Sequence, residues 1–559
     1  MITKRRTLRV VGAGLAAALA LAGCSDSPEP KAADDIILNV YTGASGAFVE
    51  NFNPFSPTRL SNTRGMIYEG LFFFNNLKPL DEKPTPVLGK DFSWNADGTV
   101  LTVTMQDGVT WSDGKPVTAA DAAFTHNLIA SRPALNTSGN APKATASGNT
   151  LTLTFEKPAF VDGPYTLSTA IVPEHIWKDV ADPEKDVNKN PIGSGPYKVG
   201  SFTAESYLLV KSPTYRHADK VKVAGSRYYS LSGNQAATEK LLAGQLDWAG
   251  AFIPDMKKVL SARKDLGYGV SGSQQIGLGT CSNAAMGCKG PQTDPAVRKA
   301  ISAAIDRAQI NKLAYYDAGT PISATWGLLG RDDALIDPGL RAPEPMQPDV
   351  AKAQSLLEAA GWSKGGDGIY AKNGKRLSMT CSVTTGWTDY IATLDAMKEQ
   401  LKAAGIELVP TQQANAEVNS SVGLGNFQLT ITSLWQGPAA DPYYVYNQFF
   451  NSASARKVGE AADPYRNTTR YTNPVVDAAL VKARATQDMA VKAAAYSDLQ
   501  KAIVADLPYI PVLNNVSSAV FSTSRVTGFP SGDNQYASTD PNNEFSPSQV
   551  LNRLEVVKK

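Results

Sequence analysis

One long apolar run occurs in this chain, Val10 to Ala22, and it stands at the N-terminus behind Lys4, Arg5, Arg6 and Arg9. At about a dozen residues it is too short to cross a ~30 Å hydrocarbon layer as a helix, and a basic stretch leading into a short apolar one fits a secretory signal. No later segment approaches a membrane span. Every apolar side chain beyond Ala22 must therefore be hidden by folding in water, through periodic patterns that place it on one face of a helix or strand. The remaining chain is too long to surround one small core, so two or three domains are expected.

Those patterns are mixed. Leu101 to Met105 and Leu151 to Phe155 alternate apolar with polar, as half-buried strands do, and Asp97-Gly98, Asp107-Gly108, Asp113-Gly114 and Gly148-Asn149 supply turns around them. Asp294-Pro295 opens an amphipathic helix expected to run to about Tyr315, with Val297, Ile301, Ile305 and Ile310 roughly on one face. Pro348-Asp349 opens another that stops at Gly361, and Asp389 to Ala404 ends at a C-cap glycine, Gly405. Val475 to about Asp506 reads as mostly helix, before Pro508 forces extended chain. Strands and helices in irregular order, without an internal repeat, indicate α/β domains with sheets of mixed direction.

The apolar run ends Leu21-Ala22-Gly23-Cys24, which resembles a bacterial lipobox, with Cys24 the lipid attachment point and residues 24–35 a tether to the folded body. Without residues 1–23, 50 Lys and Arg face 52 Asp and Glu, a net charge of −2. That balance argues against nucleic acid, which needs a concentrated basic face. Of the other cysteines, Cys281 and Cys288 flank a short Gly-containing loop; a disulfide between them is favoured, with Cys381 a buried thiol in a strand. A metal site is the alternative, but no histidine lies near either of the pair.

Seven blocks then occur in an order that resembles the family 5 bacterial solute-binding proteins, the dipeptide- and oligopeptide-binding group. They are Gln106 to Phe124, Val172 to Trp177, Pro191 to Tyr197, Leu242 to Asp247, Asp294 to Arg307, Ala351 to Gly361 and Leu507 to Pro511. Each is weak alone; the series spans nearly the whole mature chain. Physically, most of these blocks read as fold-holding. Gly193 and Gly195 let the backbone turn sharply before a strand, and Arg298 with Asp306 and Arg307 can pair along a helix surface.

The resemblance implies an α/β, two-lobed fold like that of periplasmic binding proteins (type II, cluster C), with an extra inserted domain and hinge bending. Residues 36–58, 170–270 and 508–559 would build domain I, 59–169 the inserted domain II, and 271–507 domain III, the second lobe. The implied role is the extracytoplasmic, lipid-anchored binding component of an ABC importer, a monomer that captures a short peptide between closing lobes and delivers it to separate permease and ATPase subunits, with no cofactor, metal or catalysis. Two alternatives stay open: a β-linked oligosaccharide as ligand, and a receptor for a signal peptide.

In peptide-binding members an Asp three residues after a Trp meets the ligand's amino group; counted from Trp435, that position here is Pro438, and Asp441 follows it. Other segments resemble the cello-oligosaccharide-binding branch: Asn51 to Pro57, Gly65 to Phe72, Gly386 to Tyr390, and Leu246 to Trp248. Aromatic faces suit sugar C–H surfaces, and amides or carboxylates suit hydroxyls. The candidate ligand-binding residues are Trp435, Asp441, Tyr443, Tyr444, Trp387, Asn53, Trp248 and Asn514, with Asn515 beside the last. Enzyme signatures are weak. Ser261 and Lys264 match S-x-x-K without its companion motifs, His126, His175 and His217 are dispersed, and no phosphate-binding loop is present.

Overall fold

This computed structural model describes residues 36–557 apart from 45, 79–81, 137–140, 251, 254 and 533, and only the backbone of 270–273 and 515–518. The expected secretory signal, Cys24 as lipid attachment point and the expected tether lie outside the described residues. Fourteen strands form the two main sheets. In chain order they are β1 (Ile37–Tyr41), β2 (Gly89–Trp94), β3 (Val100–Met105), β4 (Lys143–Ser147), β5 (Thr150–Thr154), β6 (Tyr197–Phe202), β7 (Ser206–Lys211), β8 (Gly225–Tyr229), β9 (Trp248–Gly250), β10 (Leu266–Thr280), β11 (Ser378–Thr384), β12 (Glu407–Gln413), β13 (Leu429–Trp435) and β14 (Tyr509–Ser522).

Ten of them make one sheet of mixed direction, in the order β12-β11-β13-β10-β14-β9-β1-β8-β7-β6. β10 and β14 are the longest, at 15 and 14 residues, and pair antiparallel along nearly their whole length. The first half of β10, Leu266 to Ser271, lies opposite Ser522 to Ser517 in the part of the sheet that holds β9 and β1. Its second half, Gln274 to Thr280, lies against β13 and the start of β14. The register shifts between Ser271 and Gln274 and again between Ile276 and Gly277. Two strands thus run through both halves of the molecule, and the first of these irregularities falls where one half gives way to the other.

Each half has its own core. Leu38, Val40, Tyr197, Leu209 and Tyr228 anchor the first. Val297, Ile301, Leu394, Leu401, Leu408 and Leu513 anchor the second. An antiparallel sheet, β2-β3-β5-β4, forms a separate layer with the helix Ala119–Ser131. Leu101, Val103, Leu151 and Leu153 point from it into a core around Trp111, as their alternation requires. Thr118 caps that helix and exchanges bonds with Asp121.

Four details differ from the sequence reading. The helix opened by Pro295 ends at Ala304, and a second runs Arg307–Ala314, because Ile305 is extended and the Asp306 carboxylate accepts from the Gln309 N–H. The helical region after Pro474 likewise divides into Pro474–Arg484 and Met489–Asp506, with Asp488 capping the second. Arg298 and Arg307 do not pair with Asp306 along a helix surface. Both are buried; Arg298 donates to the Asp506 and Leu507 carbonyls, and Arg307 to Pro511 and Ser302 and to Glu344. They fasten the two helices to the start of β14, where carbonyls would otherwise lack partners. Gly193 and Gly195 serve close approach rather than a turn: a Cβ at either would stand 2.0 Å from the Ile67 carbonyl oxygen or 2.3 Å from that of Met66.

Candidate functional site: the seam between the lobes

The two halves touch along a seam at several places. Phe252, just past β9, lays its ring on Tyr316 with centroids 6.3 Å apart and its edge on Tyr315 at 5.9 Å. Gly233 meets Gly386 backbone to backbone; a Cβ at Gly233 would stand 3.1 Å from the Gly386 carbonyl oxygen. Beside this contact the helices Asn234–Leu242 and Thr388–Ala403 begin facing each other, and the Asn234 amide reaches Thr388 Oγ1 at 3.4 Å and Asp389 Oδ1 at 3.5 Å. Asp389 is buried there, and that burial raises its pKa to about 6, against the opposing pull of its backbone N–H bonds and Asn234.

The layer built on β2–β5 closes on the second half from another side. Asp162 pairs with Arg484 at 2.7 Å, the Tyr444 hydroxyl donates to the Val161 carbonyl at 2.9 Å, and the Asn76 amide donates to the Gly437 carbonyl at 3.0 Å. Tyr165, in the short helix Gly163–Leu167, sets its ring edge to face with Tyr444 at 5.2 Å and Trp435 at 6.3 Å. Next to this contact is a cavity of about 290 Å³ whose wall includes Phe74, Trp94, Phe160, Ala439 and Tyr536.

Several candidate residues come together here. Trp435 ends β13 half-buried, and the chain turns through Gly437 into the helix Tyr443–Phe449. Asp441 is buried within that turn. Its carboxylate accepts from Lys492 Nζ at 2.6 Å, the Tyr496 hydroxyl at 2.7 Å and the Tyr443 N–H at 2.9 Å. Its charge is therefore answered by the protein itself, and it fixes the loop that carries Trp435. Tyr443 and Tyr444 are buried with it. Asn514 belongs to a chain of buried amides: Gln436 donates to Gln275, Gln275 donates to Asn514 at 2.9 Å, and Asn514 donates to the Pro321 carbonyl at 2.7 Å. The Asn515 side chain lies outside the described residues. Trp387 stands at the start of its helix, beside the Gly233–Gly386 contact, with 38% of its surface exposed.

Two candidates are elsewhere. Asn53 is wholly buried in the first lobe; its amide donates to Pro183 and Asp186 carbonyls at 2.8 and 2.7 Å and accepts from the Phe55 N–H at 2.8 Å. Trp248 fills the first core and donates to the Thr539 carbonyl at 2.7 Å. Every polar atom of these two side chains already has a protein partner, so neither has anything to offer a guest at the seam.

Sequence reasoning missed Tyr165, Asn234, Gln275 and Gln436. Gln274 and Gln275 did carry a signal, as adjacent amides in a strand otherwise made of Gly, Ser, Thr, Tyr and aliphatic residues. Tyr165 carried none, because its ring contacts lie far along the chain. Cys281 and Cys288 form a disulfide with Cα atoms 5.4 Å apart, and burial pushes the Cys381 thiol well up. Ser261 donates to the Lys258 carbonyl on a surface helix, and His175 pairs with Asp113. No group of three His, Cys, Asp or Glu able to hold a metal occurs among the described residues, and no described helix is long and apolar enough to cross a membrane.

Two lobes joined by strands common to both, with aromatic rings at the contacts between them, are the architecture of a binding protein of the two-lobed type. The profile of bacterial extracellular solute-binding proteins, family 5, matches residues 83–457, and this chain belongs to that family, whose members are transport receptors and not enzymes. Protein XP55 of Streptomyces lividans is 29% identical over 422 residues, covering 74% of this chain and 72% of that protein. The glutathione-binding protein GsiB of Salmonella typhi is 24% identical over 539 residues, 92% of this chain and 95% of its own. The mannohexaose-bound structure of a periplasmic oligopeptide-binding protein from Thermotoga maritima has the same fold, with a TM-score of 0.82 at 24% identity over 93% of this chain and 99% of that one.

Proposed function

We propose that this protein is the extracytoplasmic, lipid-anchored receptor of an ABC importer, which encloses a short peptide at the seam and hands it to a separate permease–ATPase complex. The observation that carries this reading is the Trp435–Pro442 loop, held by Asp441 and Lys492 at the place where the second lobe meets the layer of β2–β5. The similarity to a glutathione-binding protein over nearly the full chain supports a peptide as guest. Residues 36–58, 170–270 and 508–559 serve as the first lobe, 59–169 as the inserted domain and 271–507 as the second lobe, with the bend at the first β10 irregularity. Cys24 carries the lipid, residues 24–35 form the tether, and the body acts as a monomer.

One observation favours a second reading. The only carboxylate of the Trp435–Pro442 loop is already paired with Lys492, and Pro438 has no charge, so this loop offers no free anion to a peptide's ammonium group. A β-linked oligosaccharide, held by the aromatic faces of Trp387 and Trp435, needs none. Titration calorimetry with an equimolar mix of di- to pentapeptides and, separately, with cello-oligosaccharides decides between them. Peptide heat at micromolar affinity, about −8 kcal/mol, is expected; heat from the sugars alone replaces the first reading with the second. For the anchor, Cys24→Ala is expected to abolish incorporation of labelled palmitate and release the protein into the medium.

A further inference from the structure

Resting on the peptide-receptor reading, we infer that Tyr165 of the inserted layer is a ligand-recognition residue, whose hydroxyl donates to a peptide carbonyl in the corner between its ring and that of Trp435.

The observations come from three sides. First, Tyr165 keeps 42% of its surface open although its ring stands 5.2 Å from Tyr444 and 6.3 Å from Trp435. A side chain contacted across a seam and still open to solvent lines a space between the walls; it does not fill a core. Second, its hydroxyl has no hydrogen-bond partner among the described residues. Three neighbouring tyrosines differ: Tyr444 donates to Val161, Tyr446 accepts from Gln500, and Tyr496 donates to Asp441. A phenol in a cleft with no protein acceptor is a donor available to whatever enters. A phenol keeps its proton at neutral pH, so the group can donate.

Third, the ring is placed before any guest arrives. The short helix that carries it follows Val161 and Asp162, and these are tied to the second lobe by the Tyr444 hydroxyl and by Arg484. Trp435 is held from its own side by the Asp441–Lys492 pair. The two rings touch edge to face at an interplanar angle of 62°, which gives a corner with two aromatic sides. A planar amide that lies against the open side of that corner can set its face on one ring and its carbonyl edge toward the phenol, and fixed rings spare the ordering cost of binding. The inserted layer would thus read the guest directly rather than only brace the lobes.

Calorimetry with the equimolar di- to pentapeptide mix, on wild type and on Tyr165→Phe, tests this, together with the melting temperature of each without peptide. Tyr165→Phe keeps the ring and removes the donor. The expected result is a Kd raised about five- to tenfold, the worth of one hydrogen bond, with an unchanged ligand-free melting temperature, since the hydroxyl bonds nothing among the described residues. Tyr165→Ala, which also removes the wall, is expected to bind weaker still. A Kd for Tyr165→Phe equal to that of wild type overturns the inference, as does a loss of affinity accompanied by a lower ligand-free melting temperature. If wild type gives no peptide heat, the peptide-receptor reading falls and the role of Tyr165 falls with it.

Discussion

Asp441 and Lys492 are 51 residues apart in sequence and 2.6 Å apart in space, both buried. A buried pair gains little over an apolar pair of the same shape, but removing one partner strands the other without solvent. Lys492→Met is therefore expected to lower the unfolding free energy by about 3–5 kcal/mol, read by urea denaturation, and to loosen the loop that presents Trp435. Asp441→Asn with Lys492→Met together should recover part of that loss, because no lone charge remains. At this scale the sequence was half legible. Asp441 before Pro442 stood out, and Trp435 did too, but the partner that decides whether a carboxylate is free lies on a distant helix. Asn53 and Trp248 show the same gap: their residue types suit a binding site, and only their three-dimensional neighbours show them to be fully engaged in the core.

Among the elements, helix starts carry the consequences. Asp306 and Asp488 each begin a new helix inside a stretch whose apolar period continues unbroken, so periodicity alone joined what the caps divide. The helix Thr388–Ala403 has its start, with Asp389, pressed toward Asn234 of the other lobe. Tyr315 and Tyr390 are the titratable neighbours that feel the Asp389 charge, and both stay protonated at neutral pH. Burial there favours the neutral carboxyl, with a pKa of about 6 in the closed seam against 3.8 in water. A raised carboxyl pKa makes closure most favourable below about pH 4, and that advantage is lost as pH rises through about 6. Peptide affinity is expected to fall between pH 4.5 and 7, and Asp389→Asn to flatten the profile. Asn234→Asp sets a second carboxylate against the first and should weaken binding at pH 7 more than at pH 4.5, read by calorimetry at both.

For the whole molecule, the α/β class and its mixed sheets followed from the patterns, and the family blocks implied two lobes. The course of the central sheet did not follow. Its two longest strands pair across more than 200 residues of sequence, from Leu266 with Ser522 to Gly279 with Tyr509, and no local period records such a register. The glycine-rich run of β10 even reads as a poor strand, since it takes its order from its neighbours on both sides. The closed seam makes a global expectation: small-angle scattering should show a larger radius of gyration for ligand-free protein than for protein saturated with the peptide mix, with equal radii arguing that the lobes do not part.

Because β10 and β14 stay bonded to each other through both lobes, the halves behave like boards on one twisted ribbon. They can roll about that ribbon, but they cannot slide along each other or draw away from its edge. The floor of the cleft is thus set at a fixed depth. A bulkier or longer guest finds room only outward, toward the rim where the third layer stands, so differences in cargo size among such proteins should be written in that rim and not in the spine.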